Sequence, residues 1–313
     1  MQGFLTNLVI FIVIGLGWLM KKRKILTDAG LKDINAMLFT LLMPVSFFRS
    51  GLGFSTSMLR GWRYVAVLLG GTAACTLFLW FFSNVGRSDA KRRAVSLLTG
   101  IRPNLIFIGL PIMTLWLGEA GSEAQVLYIA VCTPYANIVP LLLAQVALNG
   151  RTDGKSMVRA CAQTFKNPIL LSGIVGIALG AAGASAVIPP WVMRTLKVLG
   201  DCSNGLALIV IGAALRPEGL LKDIRAAWLD MLMKLFIHPA FIMAAFTLFP
   251  IENALLMRAA VVASAVSPAF NCYILARGFG MDGDYAAMLV ASSTLLCMVT
   301  TLFWMTLTVV VFI

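Results

Sequence analysis

The chain has 313 residues, 60% of them hydrophobic and only 12% charged, with a mean hydropathy of +0.91. A soluble domain of that size would not be so apolar, so the composition excludes one and indicates a polytopic membrane protein. The formal net charge of +12 has a membrane explanation, because cytoplasmic loops collect Lys and Arg; no basic stretch comes with a soluble domain or stacking aromatics, which excludes nucleic acid as a partner.

Crossing the hydrocarbon layer takes roughly 20 apolar residues per helix. On that measure ten segments span, near residues 4–20, 34–50, 62–83, 94–117, 124–147, 168–186, 192–214, 226–248, 254–278 and 285–312. The first has no cleavage site and nine more follow it, so it reads as a retained span and not a signal peptide. With the amino terminus outside, the basic clusters fall in inward loops. These are Lys21-Lys22-Arg23-Lys24, then Arg87 with Lys91-Arg92-Arg93, then Arg151, Lys155, Arg159 and Lys166, then Arg216, Lys222 and Arg225. That alternation supports the count of spans and the orientation: both termini periplasmic, basic loops cytoplasmic. A compact chain with short loops suits a bacterial cell inner membrane. The six cysteines lie far apart without a CxxC pair, so neither a disulfide framework nor a metal site is expected. No Walker-type sequence appears, which argues against transport driven by ATP.

The long basic loop at residues 149–167 divides the chain into two halves, 1–148 and 168–313, with five spans each. Five is odd, so the second half starts from the opposite side of the membrane. That is the inverted-repeat plan of many secondary transporters. Each half carries one apolar segment interrupted by proline and lone polar residues: Arg102-Pro103-Asn104 with Pro111 in the fourth span, and Ser267-Pro268-Ala269-Phe270-Asn271 in the ninth. Asn104 lies 100 residues past Phe4, and Asn271 lies 102 past Ile169, so the breaks correspond. Proline removes a donor and clashes with the turn before it, and freed backbone groups in lipid must line a cavity or meet a ligand. Matched interruptions in two halves point to a carrier's binding site.

Several short motifs follow in order: Gly15-Leu16-Gly17-Trp18-Leu19-Met20 running into the basic turn, Leu38 to Ser50 around Pro44, and Asn104-x-x-Phe107-x-Gly109-x-Pro111. Then come Ala207 through Leu215, Lys234-Leu235 with His238-Pro239, and Pro268-Ala269-Phe270-Asn271 with Ala276. Together they resemble the auxin efflux carrier family, particularly its bacterial malonate-carrier-like branch, over nearly the whole chain. The resemblance implies ten helices, with broken helices four and nine crossing at mid-membrane, and transport of organic anions. It also implies an elevator-like motion of a crossover domain (spans 3–5 and 8–10) against a scaffold (spans 1–2 and 6–7). One departure concerns the substrate: the family has small residues after the fourth-span Asn, and here Leu105 and Ile106 follow.

The candidate substrate site comprises Arg102, Asn104, Asn271, Pro111, Ser267 and Pro268. Each asparagine offers donors and an acceptor to a ligand, or else satisfies backbone groups freed by its own proline. Arg102 lies about 12 Å into its span at roughly 1.5 Å per residue. A charge there costs at least ~2.5 kcal/mol on insertion scales, so it needs a partner. Its guanidinium can grip a carboxylate; the alternatives are an ion pair with Asp201 or Asp230, or snorkelling to the interface. Asp230, Lys234 and His238 recur every four residues, hence on one helix face. They form either a proton or coupling-ion relay or a salt bridge that seats the helix beside Pro239. Asp201 with Asn204 is a further coupling candidate, with a scaffold contact as its plain alternative. No cofactor is expected beyond Na+ or H+ as coupling ion. The expected partners are a small anionic substrate, membrane lipid and a second copy bound through the scaffold helices.

The leading reading is an elevator-type secondary transporter of a small mono- or dicarboxylate such as malonate or malate. Its neighbours are a sodium-coupled bile-acid-like symporter and a cation/proton antiporter; the latter wants adjacent acidic residues at the breaks, where none stands. A membrane-embedded enzyme has a single histidine to work with and no HExxH, GxSxG or GxGD sequence. A sensor without transport leaves the two breaks without work.

Overall fold

The structure is a computed structural model that describes residues 2–53, 62–83, 89–149, 158, 166, 168–214, 220–269 and 272–312. Among the described residues the protein is all-helical, with one isolated β-bridge and no strand. Apolar stretches become helices here because a helix satisfies its own backbone groups where no water can. In chain order the α-helices are α1 (Gln2–Lys22), α2 (Asp28–Met37), α3 (Met43–Leu52), α4 (Trp62–Phe82), α5 (Ala90–Thr99) and α6 (Leu110–Asn149). The second half supplies α7 (Pro168–Ala181), α8 (Pro190–Ala214), α9 (Leu220–Leu232), α10 (His238–Leu248), α11 (Ala254–Ala265), α12 (Cys272–Gly278) and α13 (Gly283–Val311). Their starts carry the expected caps: Thr27, Asp89, Asn253 and Asp282 each accept a first-turn backbone N–H.

Six helical runs are long and apolar enough to cross a membrane: Asp28–Leu52, Trp62–Phe82, Leu105–Leu148, Pro190–Ala213, Asp223–Leu248 and Gly283–Val311. Pro168–Ala181 and Ala254–Ala265 are apolar but shorter. Among the described residues these six runs hold seven of the ten expected spans; the first falls on α1, 21 residues long, and the sixth and ninth fall on the two shorter helices. Two differences have a visible cause. The expected fourth and fifth spans share the run Leu105–Leu148, which turns at Gly118 with φ +65° and ψ −146°, a backbone region that favours glycine. The expected ninth span is divided where α11 gives way to extended backbone at Val266. Of the connecting loop 149–167, only residues 149, 158 and 166 are described.

Three π-turns interrupt the helices, at Leu38–Leu42, Leu105–Gly109 and Met233–Ile237, and each ends two residues before a proline: Pro44, Pro111 and Pro239. Proline cannot donate to the carbonyl four residues back and its ring crowds that carbonyl, so the turn widens instead of breaking. One freed carbonyl has a visible substitute: the Trp304 indole N–H donates to Leu235 O, four residues before Pro239, at 2.8 Å.

The chain divides into two compact units: Met1–Trp62, Leu105–Ala130 and Phe165–Leu215 in the first, and Arg63–Asn104, Val131–Thr164 and Arg216–Ile313 in the second. The first is built on glycine contacts between helix backbones. A Cβ on Gly17 would strike Ile209 O, and one on Gly212 would strike Ile14 O, so α1 and α8 touch main chain to main chain. Gly51 and Gly176 bring α3 and α7 together in the same way, with a Cβ on Gly51 falling 2.8 Å from Gly173 O. Lipid gives apolar helices little drive to associate, so close approach of small residues holds them. Gly15, for its part, faces open space.

In the second unit Gly71 of α4 admits Ala245 of α10, where a Cβ would lie 2.9 Å from the alanine methyl, and Tyr64 stacks on Phe246 at 5.8 Å. A Gly212→Leu substitution is expected to separate α8 from α1 and destabilise the protein by about 1–3 kcal/mol or more. Gly15→Leu, on open space, should leave the melting temperature of the detergent-solubilised protein unchanged, and melting curves of the two variants check both.

Candidate functional site

The second unit contains both breaks, at Arg102-Pro103-Asn104 and at Ser267-Pro268. α5 stops at Thr99 and α11 stops at Ala265, and the stretches that follow them run antiparallel as the Pro103–Pro268 bridge. Asn104 N–H donates to Ser267 O at 2.8 Å, and Ala269 N–H donates to Arg102 O at 2.9 Å. Two pieces of chain deprived of helical partners thus satisfy each other, as backbone shielded from water must. The structure brings Arg102, Asn104, Ser267 and Pro268 together at this crossing; Asn271 lies outside the described residues. All four are buried, Arg102 at 6% exposure and Asn104 at 3%. Ser267 Oγ accepts from the Thr294 hydroxyl of α13 at 3.1 Å. Pro111 is buried past the π-turn, in the first unit.

Arg102 has no carboxylate partner among the described residues, and its Nε has no hydrogen-bond acceptor there. The two ion pairs expected as alternatives are not formed. Asp201 is exposed and faces Lys197 at 3.0 Å and Arg49 at 3.8 Å, within the first unit. Asp230 is buried and accepts the Tyr285 hydroxyl at 2.6 Å. What remains at the crossing is a buried guanidinium beside paired backbone.

The regular spacing of Asp230, Lys234 and His238 is only half realised. Lys234 Nζ sits 3.2 Å from His238 Nδ1 and donates to Ser264 O at 2.6 Å. It forms no ion pair with Asp230, which corrects the salt-bridge alternative. The Asp230 carboxylate is taken by Tyr285 instead, while Lys234 and His238 stay together across the π-turn at Met233–Ile237. Lys234 and His238 are both fully buried, at 1% and 0% exposure. Asp201 lies in the first unit; Ser203 Oγ donates to Gly200 O at 2.6 Å, and the Asn204 side chain lies outside the described residues.

Sequence reasoning overlooked several participants. Gln125, fully buried, donates to Leu105 O at 2.9 Å just past the first break. Tyr285, Thr294 and Trp304 all reach the second unit's polar groups from α13. Gln125 carried a usable signal, as an amide flanked by apolar residues; the three on α13 carried none, because their partners are distant in sequence. Arg49 is a further participant: it pairs with Glu119 at 2.9 Å in the first unit.

The family model described as a membrane transport protein matches residues 4–305, almost the full chain. The chain belongs to this family of membrane transporters, the auxin efflux carriers. Among its relatives is the uncharacterized transporter YfdV of Escherichia coli (strain K12), 22% identical over 302 residues that cover 95% of each chain. Another is the uncharacterized transporter MJ1031 of Methanocaldococcus jannaschii, 22% identical over 307 residues, covering 95% of this chain and 96% of the relative. As a carrier of this family with several membrane-length apolar helices, the protein is a multi-pass membrane protein.

The caps supplied from α13 have a measurable worth. Trp304→Phe keeps the ring but strips the donor from Leu235 O, leaving a buried carbonyl unsatisfied at about 1–3 kcal/mol. A lower melting temperature for Trp304→Phe than for an exposed control on the same helix, Val299→Ala, is the expected result.

Proposed function

We propose that this carrier moves a small organic anion, a mono- or dicarboxylate such as malonate or malate, across a bacterial inner membrane by alternating access. One observation carries the reading: Arg102 is buried at the crossing of two broken helices with no carboxylate to pair with it among the described residues. An unpaired buried charge is strongly destabilising, and a guanidinium binds a carboxylate bidentately, so an anionic guest offsets the penalty. Asn104 supplies neutral polar atoms at the same place. A cation/proton antiporter would want acidic side chains at the breaks; among the described residues the crossing has none.

The arrangement of five spans against five inverted spans draws support from the glycine contacts. α1 lies on α8 and α3 lies on α7, in span numbers one on seven and two on six. Exchanging the halves turns the first pairing into the second, as a two-fold repeat requires. The elevator reading draws support from the compact units: the first holds the expected scaffold spans 1, 2, 6 and 7, and the second holds spans 3 and 8–10 with both breaks. The strip Leu105–Ala130, expected to move with the crossover domain, groups with the first unit. In this mechanism the second unit carries the anion across while the first stays fixed in the bilayer, with both termini periplasmic and basic loops cytoplasmic.

Uptake of labelled malonate and malate into proteoliposomes tests the reading. Arg102→Gln is expected to lower uptake by at least about tenfold, corresponding to the loss of one charge-assisted hydrogen-bonded pair. Undiminished uptake by a folded Arg102→Gln protein would remove the guanidinium from the site.

A further inference from the structure

Three carbonyls around the helix interruptions accept from side chains, and the donors differ in kind. Leu235 O, freed by Pro239, takes the neutral indole N–H of Trp304. Leu105 O, inside a π-turn, takes the neutral amide of Gln125. Ser264 O, four residues before Pro268, takes the ammonium of Lys234 at 2.6 Å. In an unbroken helix residue 268 would donate to Ser264 O, and proline has no N–H to give. A neutral donor would satisfy that carbonyl, as it does at the other two. Lys234, when protonated, brings a charge as well, into a place where it is 1% exposed and pairs with no carboxylate among the described residues. Its other contact is His238 Nδ1, and the ionisable groups that act on it from α4, α12 and α13 are the thiols Cys75, Cys272 and Cys297.

The compensation for that charge is the end of α11. This helix stops at Ala265, so its last carbonyls, Ser264 O among them, present the negative end of the macrodipole to the ammonium. Broken helices in secondary transporters use such C-terminal ends and unwound carbonyls to coordinate a coupling cation. We infer that Lys234 is a resident cation: its ammonium occupies the carbonyl site at the end of α11 that a free monovalent ion would otherwise fill. The protein therefore binds no sodium there, and removing the side chain opens a site for a small cation. This inference does not depend on the substrate being an anion.

The test uses the purified full chain in detergent without substrate, comparing melting temperatures in about 100 mM choline, sodium, ammonium or methylammonium chloride. Wild type is expected to melt at the same temperature in all four salts. Lys234→Ala is expected to melt lower in choline and to recover at least about half of that loss in sodium, ammonium or methylammonium, as a ligand that binds only the folded state must produce. Stabilisation of wild type by sodium over choline would overturn the inference. So would a Lys234→Ala protein that melts alike in every salt. Lys234→Gln, which keeps a neutral donor, decides the matter if the alanine variant does not fold. A glutamine variant as stable as wild type in choline would show that the charge is dispensable and overturn the inference; a less stable one supports it. Because no substrate is present, none of these results bears on the uptake assay with Arg102→Gln.

Discussion

The crossing stands on a pair of backbone hydrogen bonds. Asn104 N–H to Ser267 O and Ala269 N–H to Arg102 O tie two proline-broken segments to each other. An unsatisfied amide or carbonyl shielded from water costs several kcal/mol, so neither break is tolerable alone. Paired, each supplies what the other lacks. The pairing also places the residues of chemical interest: Arg102 and Asn104 lie on one strand of the bridge, Ser267 and Pro268 on the other, and Lys234 reaches the carbonyl of Ser264 just before it.

The pattern beyond that crossing is one of electrostatic asymmetry. In the second unit two buried cations, Arg102 and Lys234, follow or face the C-terminal ends of α5 and α11, and no carboxylate pairs with either among the described residues. The acid that is buried there, Asp230, takes a tyrosine hydroxyl. The first unit is different: four of its charges, Arg49, Glu119, Lys197 and Asp201, form a mixed cluster of ion pairs. Charges that neutralise each other can brace a structure, whereas a buried charge without a carboxylate beside it leans on helix ends and polar groups for its stability.

Much of this was legible in the sequence, and what escaped did so for identifiable reasons. Prolines 103 and 268 inside apolar runs announce breaks because proline's effect on a helix is local and independent of context. Arg102 was conspicuous because a lone charge in an apolar segment is rare and expensive. The alignment of Asp230 with Lys234 failed because helical spacing tells which residues share a face, not that a tyrosine 55 residues away takes the carboxylate. The contacts from Trp304 and Gln125 escaped because a side chain that caps a distant carbonyl leaves no periodic trace. The expected fourth and fifth spans share one run and the ninth is divided, since hydropathy sees an apolar stretch but not Gly118 turning it or Val266 ending it.

The widened turns before Pro44, Pro111 and Pro239 have a consequence for how such helices diverge. One surplus residue in a coil of 3.6 per revolution swivels everything downstream by ~100° about the long axis. Loss or gain of a single codon inside Met233–Ile237 would therefore re-aim His238 and α10 as a body while leaving Asp230 and α9 where they stand. At each of these turns a single residue thus sets the direction in which half of a transmembrane rod faces its neighbours.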